Sequence, residues 1–246
     1  MWPDEVTVQQ FDAGDHVVLA VRGGLSAVSV NPTVRPVLLK HLLDRGRVVV
    51  DLSEATVQWA PVVELFPTIL AAAGGWPLAR LALSGPDPAT AAILRASRVH
   101  LTVPVAGSHE EARGLLDVRP SHVARRHEVP CDDTAPNLAR SFVASACDDW
   151  ELDTGLRDAA WTVVTELVSN AVEHAGTECV LSLSLTGKHL QVAVRDRRPT
   201  AAGYPQVVVP GDRGYGLLVV EGASRAWGVT SHDDGKTVWA VLDGPV

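Results

Sequence analysis

Three residues able to do chemistry recur at intervals of four in the segment Glu166-Leu-Val-Ser-Asn170-Ala-Val-Glu-His174. On a helix that spacing stacks Glu166, Asn170 and His174 along one edge. Leu156, Ala160, Val163, Leu167 and Ala171 form an apolar stripe on the same stretch, so the polar edge runs beside the buried face rather than opposite it. A carboxylate and an amide at the rim of a core require partners, because uncompensated burial costs about 1–3 kcal/mol each. Taken alone, the segment fits a hydrogen-bonded helix edge as well as a ligand-facing one.

Two further groups narrow the choice. With a period of two, Leu190, Val192, Val194 and Asp196 share one face of a strand. The first three seek the core, which puts a carboxylate at the mouth of an apolar cavity. There it can accept a hydrogen bond from an amine such as the exocyclic amine of adenine, although an Asp before Arg197-Arg198-Pro199 also suits a turn. Downstream, Gly211-Asp212-Arg213-Gly214-Tyr215-Gly216 precedes the apolar helical run Leu217 to Val220. Glycines at a helix entrance let backbone N–H groups approach an anion, and the helix N-terminus adds partial positive charge. A glycine-rich turn on its own is ordinary loop punctuation.

These residues need elements to hold them. The spacing predicts helices over 137–147 and 156–175, the latter ended by Gly176, then strands over 179–185, 190–196 and 237–242. A short helix from Gly216 and a strand around 227–230 fall between the last two. Helices first and antiparallel strands after predict an α+β sandwich. The earlier part has another rhythm: strands at 6–10, 16–21, 47–52 and 81–83 alternate with helical patterns at 34–43, 62–73 and 88–96. That alternation predicts α/β layer packing. A short helix at 109–116 and a strand at 122–129 complete the reading, with residues 1–107 as one domain, 108–130 as linker and 131–246 as the second domain.

Bulk properties exclude several function classes. The 246 residues carry a net charge of −8, which disfavours a nucleic-acid footprint, since neutralising phosphates needs clustered cations. The one basic cluster, Arg125-Arg126 beside His127, reads as a solvated strand edge or linker. No cationic start followed by an apolar run suggests a signal peptide, and the most apolar stretch, 61–75, is broken by Glu64 and Pro67 and too short to span a bilayer. Cys131, Cys147 and Cys179 are widely spaced without a CxxC pair, as expected of structural thiols in a reducing cytoplasm.

In this order, the three groups resemble the boxes of the GHKL ATPase superfamily, and within it the short anti-sigma-factor serine kinases. Glu166 to His174 matches the asparagine box, Asp196 the aspartate of the first glycine box, and Arg213-Gly214-Tyr215-Gly216-Leu217 the phosphate-binding box. Gly235-Lys236-Thr237-Val238-Trp239 resembles the closing strand, where a Thr commonly lies near the adenine end. The resemblance implies a Bergerat-type α/β sandwich that binds ATP and Mg²⁺. It gives Asn170 to the metal, Glu166 to the attacking hydroxyl as base or orienting group, and Asp196 and Thr237 to the adenine end. Arg213, Gly214, Tyr215, Gly216 and Leu217 fall to the phosphates, and His174 continues the motif. One departure stands out: Arg198 occupies a position where the family has a small residue.

Residues 5 to about 105 resemble a STAS domain, the fold of anti-anti-sigma factors, through Arg47-Val-Val-Val-Asp51-Leu-Ser-Glu-Ala-Thr56. In that family an Asp-Ser-Ser-Gly cluster follows, whose second serine accepts phosphate. Here the stretch is Trp59-Ala60-Pro61-Val62; neither alanine nor proline has a hydroxyl, so phosphorylation there is chemically excluded. The resemblances together imply a cytoplasmic serine/threonine kinase acting on a separate STAS-type anti-anti-sigma protein, with a sigma factor as a further partner and a homodimer as a possible assembly. Direct contact with nucleic acid or membrane is not expected. The alternative is a nucleotide-gated anti-sigma or scaffold protein without transferase activity.

Overall fold

The computed structural model describes residues 6–197 and 215–244, apart from the side chains of residues 174, 175 and 215. The chain divides into two compact units, Met1–Val123 and Ala124–Val246.

The first unit is built on a five-stranded sheet ordered β1-β2-β3-β4-β5: β1 (Thr7–Asp12), β2 (Val17–Leu25), β3 (Arg47–Val57), β4 (Arg80–Ser84) and β5 (Val105–Ala106). β1 pairs antiparallel with β2, and the remaining pairs are parallel, so this is a mixed α/β sheet. α1 (Ala27–Arg45) begins seven residues before its predicted start at Val34. Proline removes a helical donor, and α1 contains two, Pro32 in the added segment and Pro36 within the predicted one. Ser26 and Ser29 form a capping box, and Val30, Val34, Leu38 and Leu42, all buried, give a stripe at intervals of four; burial of that stripe outweighs the two lost hydrogen bonds. Gly46 ends the helix at φ 70°. The predicted helix over 62–73 splits into a 3₁₀ turn, Ala60–Glu64, and α2 (Leu65–Ala72). α3 spans Pro88–Ala96 behind the Asp87 cap. α4 (His109–Leu115) falls within the stretch read as linker, yet its Ala112 packs with Val49 and Ala82 of the first sheet.

The second unit has helices α5 (Ala135–Asp149) and α6 (Thr154–Ala175) ahead of most of its strands. Its sheet runs β6-β7-β8-β10-β9, with β6 at His122–Val129, β7 at Cys179–Thr186, β8 at His189–Asp196, β9 at Ala226–His232 and β10 at Gly235–Asp243. β8 lies antiparallel between β7 and β10, and β9 pairs antiparallel with β10. α7 (Tyr215–Ala223) packs on α6. This antiparallel sheet layered with helices is the GHKL-like α/β sandwich. Its core joins Leu156, Ala160, Val163, Leu167 and Ala171 of α6 to Leu181, Leu183, Leu190, Val192, Val194, Ala240 and Leu242 of the sheet.

The basic cluster differs from its reading as a solvated edge. Arg126 and His127 are exposed, but Arg125 is buried, lies over the Trp150 ring at 5.8 Å and pairs with Asp149 at 2.7 Å. Alternation along β6 turns Arg125 to the same inward side as Val123 and Val129, where a carboxylate and an aromatic face compensate the charge. The three cysteines are free. Among the described residues, no helix is long and apolar enough to cross a membrane.

Candidate functional site

The site is assembled on α6 and on the sheet face it covers. Asp153 caps α6 through its side chain, which accepts from the Leu156 amide at 2.9 Å. Gly176 in the left-handed region ends the helix after His174. Between these caps the apolar stripe is buried on the sheet, while Glu166 and Asn170 are half-buried at its edge. The carboxylate of Glu166 lies against the first turn of α7: a Cβ built on Gly216 would collide with Oε2 and stand 3.4 Å from Cδ. A side chain there would have to displace the carboxylate, so the glycine is what lets Glu166 lie at a helix N-terminus although 50 residues separate them in the chain.

Asp196 ends β8 on the buried side of the sheet and is 3% exposed. Its Oδ1 accepts from the Lys236 amide at 3.1 Å, and the Lys236 ammonium stands 3.9 Å from Oδ2. Gly235, at φ +153°, makes the approach possible, since a Cβ there would strike the Asp196 carbonyl oxygen and lie 3.1 Å from the Arg197 Cα. Cys179 faces Asp196 from β7. Burial first, and then the neighbouring Asp196 charge, push its thiol up to about 11.

The structure thus brings together Glu166, Asn170 and Gly216 by way of α6 and α7, with Leu217 half-buried in the first turn of α7. His174 and Tyr215 lie within helices, but their side chains are outside those described. Arg198, Gly211, Arg213 and Gly214 lie outside the described residues.

Thr237 requires a correction. The sheet register sets it opposite Arg195, one residue out of phase with Asp196, and opposed residues of an antiparallel pair share a face. Thr237 therefore faces away from Asp196, and its hydroxyl is 3.0 Å from His232 Nε2. The residue on the Asp196 face is Lys236, which the sequence reading passed over. Alternation alone could have found it, because Lys236 is in phase with the apolar Val238, Ala240 and Leu242, the last two buried.

The set fits a nucleotide. A buried acceptor stands at one end, and Glu166 and Asn170 line α6 over the same sheet. A helix start carries a glycine where any side chain would push the carboxylate away. The corresponding feature of the first unit is bare: the 3₁₀ turn at Ala60–Glu64 begins at Trp59, which makes no side-chain cap, and carries Pro61 in its first turn. Ser53 and Thr56, the hydroxyls that precede Ala60 most nearly in the chain, lie inside β3, which runs on to Val57 rather than ending at the predicted Leu52.

Residues 129–242 match the family described as histidine kinase-like ATPase domain. The second unit is a histidine kinase-like ATPase domain. Membership of that family implies ATP binding. Among solved structures, the RsbU and RsbW domains of a Mycobacterium tuberculosis protein align at 16% identity and a TM-score of 0.40, covering 49% of this chain and 32% of that one. This chain thus spans about a third of that structure's length. An anti-sigma factor antagonist from Mycobacterium paratuberculosis aligns at 20% identity and a TM-score of 0.38, covering 46% of this chain and 96% of that one. An anti-sigma-factor antagonist (STAS) domain protein from Planctomyces limnophilus gives 14% identity and a TM-score of 0.38, over 45% of this chain and 97% of that one. No curated protein matches the chain.

Proposed function

We propose that this protein is an ATP-dependent serine/threonine kinase that works by partner switching, phosphorylating a separate STAS-type protein and taking a sigma factor as a further partner. The observation that carries the reading is the contact of the Glu166 carboxylate with Gly216 at the start of α7. A proton acceptor beside a glycine-bounded helix N-terminus is what transfer of a phosphoryl group to a hydroxyl requires.

In this reading Glu166 orients and deprotonates the attacking hydroxyl. Asn170, one turn further along α6, offers its amide oxygen to Mg²⁺. The metal, when bound, neutralises phosphate charge and keeps several waters. Asp196 accepts from the exocyclic amine of adenine, and the backbone of α7's first turn, with Gly214 and Gly216, holds the phosphates. Catalysis of this kind consists of positioning and charge neutralisation. The domain boundaries are part of the proposal: a STAS-like module over 1–107, without an acceptor hydroxyl at Ala60, serves for docking or regulation of the kinase domain at 131–246.

The test is transfer of radiolabel from ATP to a panel of STAS-type proteins that carry the Asp-Ser-Ser-Gly cluster. Wild type labels at least one of them, and Glu166→Ala lowers the rate by about a hundredfold or more. Mg-ATP binding without any Glu166-dependent labelling would overturn the kinase reading in favour of a nucleotide-gated anti-sigma or scaffold protein.

A further inference from the structure

We infer that Lys236 is a second base-reading side chain of the nucleotide site and that, paired with Asp196, it admits guanine as well as adenine. The inference rests on the nucleotide-binding reading above. Its starting point is the register of β8 and β10. Thr237 opposes Arg195 and Val238 opposes Val194, so Lys236 stands opposite Asp196 on the face that α6 covers. The pair is held at two points, from the Lys236 amide to Oδ1 at 3.1 Å and from its ammonium to Oδ2 at 3.9 Å. Gly235 permits this approach, because any side chain there would strike the Asp196 backbone.

The two charges differ in depth. The Asp196 side chain is 4% exposed and that of Lys236 is 31% exposed, so the ammonium is the outer member of the pair. An ammonium carries three donors on a flexible stem. It can therefore turn one N–H towards a ligand while another stays directed at the carboxylate.

An aspartate alone at this place would select adenine. Its oxygens accept from the N6 amine, whereas guanine presents the O6 acceptor at the same position, and acceptor would face acceptor. A donor beside the carboxylate removes that penalty. With its flexible stem swung to the 6-position and the base shifted along its edge relative to adenine, Lys236 donates to O6 while Asp196 accepts from the N1–H or the N2 amine of guanine. Adenine remains acceptable, because its N1 accepts from Lys236 while its N6 amine donates to Asp196. Neither base leaves a polar group of the pair facing a like partner, and it is such unpaired groups that give a polar site its discrimination.

The experiment is calorimetric titration of the full chain with Mg-ATP and with Mg-GTP, for wild type, Lys236→Met and Lys236→Arg, with thermal unfolding to confirm that each variant folds. Wild type is expected to bind the two nucleotides within about tenfold of each other. Lys236→Met lowers the ratio of GTP to ATP affinity by about tenfold or more, the scale of one lost charged hydrogen bond. Lys236→Arg, which keeps a donor, retains the ratio. A wild type that prefers ATP by more than this, or a ratio unmoved in Lys236→Met, overturns the inference and leaves ATP binding intact. Failure of wild type to bind either nucleotide overturns the nucleotide-site reading itself.

Discussion

Each unit places a helical turn after a strand of its sheet, and the two turns are furnished differently. In the second unit, Gly216 in the first turn of α7 is pressed against the Glu166 carboxylate, with Asn170 one turn away on α6. In the first, the turn at Ala60–Glu64 starts from Trp59, with no side-chain cap and no hydroxyl before Val62. A first turn ordinarily leaves backbone N–H groups open, but in the first unit Pro61 supplies none and the Val62 amide already donates to the Trp59 carbonyl at 3.0 Å. The difference teaches that a helix entrance becomes a reactive site only when side chains from another element converge on it. A sheet-and-helix scaffold can keep its packing while losing that convergence.

The comparison can be broken most forcefully at Gly216. A methyl group there displaces the end of a flexible side chain, since the nearest atom is Glu166 Oε2. Gly216→Ala is expected to cut phosphoryl transfer by about a hundredfold or more while costing at most about 1 kcal/mol of stability. Transfer rate and urea unfolding measured on the same preparation check both halves. A loss of stability matching the loss of activity would mean that the glycine serves packing alone.

The second contrast is alkaline sensitivity. All three cysteines belong to the second unit, and burial pushes the thiols of Cys147 and Cys179 up to about 11. Their folded pKa lies above the unfolded value, so the folded state keeps protons that the unfolded chain releases. Stability from this source is fully present below about pH 8.5 and falls as pH rises towards 11. The loss should be roughly 1–3 kcal/mol, confined to the second unit. Limited proteolysis of the full chain at pH 8 and pH 10 should show cuts within 124–246 increasing first. Earlier loss of the first unit would contradict it.

The smallest effect addresses the bare turn. Trp59 has the extended backbone of a cap residue, at φ −140° and ψ 112°, and its side chain is largely exposed. Trp59→Ser should add a hydroxyl acceptor for a first-turn amide and stabilise the turn by about 0.5–1 kcal/mol. Slower hydrogen exchange at the Val62 and Val63 amides measures it. The same variant should take up no phosphate from ATP, because the turn that follows residue 59 begins Ala60-Pro61 and has no glycine to admit a carboxylate.

Much of this molecule was legible in its residues. Leu156, Ala160, Val163, Leu167 and Ala171 announced α6, and Leu190, Val192, Val194 and Asp196 announced a strand with a carboxylate on its buried side. Periodicity shows itself locally, because a helix or a strand repeats within a few residues. Three features were less legible. The first seven residues of α1 were not legible: they include Pro32, whose local cost is outweighed by a stripe of buried residues. The inward turn of Arg125 depends on Trp150 and Asp149, contributed by another element. The choice between Lys236 and Thr237 depends on which residue of β10 lies opposite Asp196.

The chain alone therefore determined which elements form, which faces they bury, and that a carboxylate, an amide and a glycine-rich helix start occur in an order suited to a nucleotide. Tertiary structure alone decided that Glu166 meets Gly216 and that Lys236, not Thr237, shares a face with Asp196. The reason is physical. Secondary structure follows from repeats of two to four residues, whereas a site depends on approaches between segments 40 to 50 residues apart, and these are set by sheet register and by which residues are small enough to let two backbones or a backbone and a side chain touch.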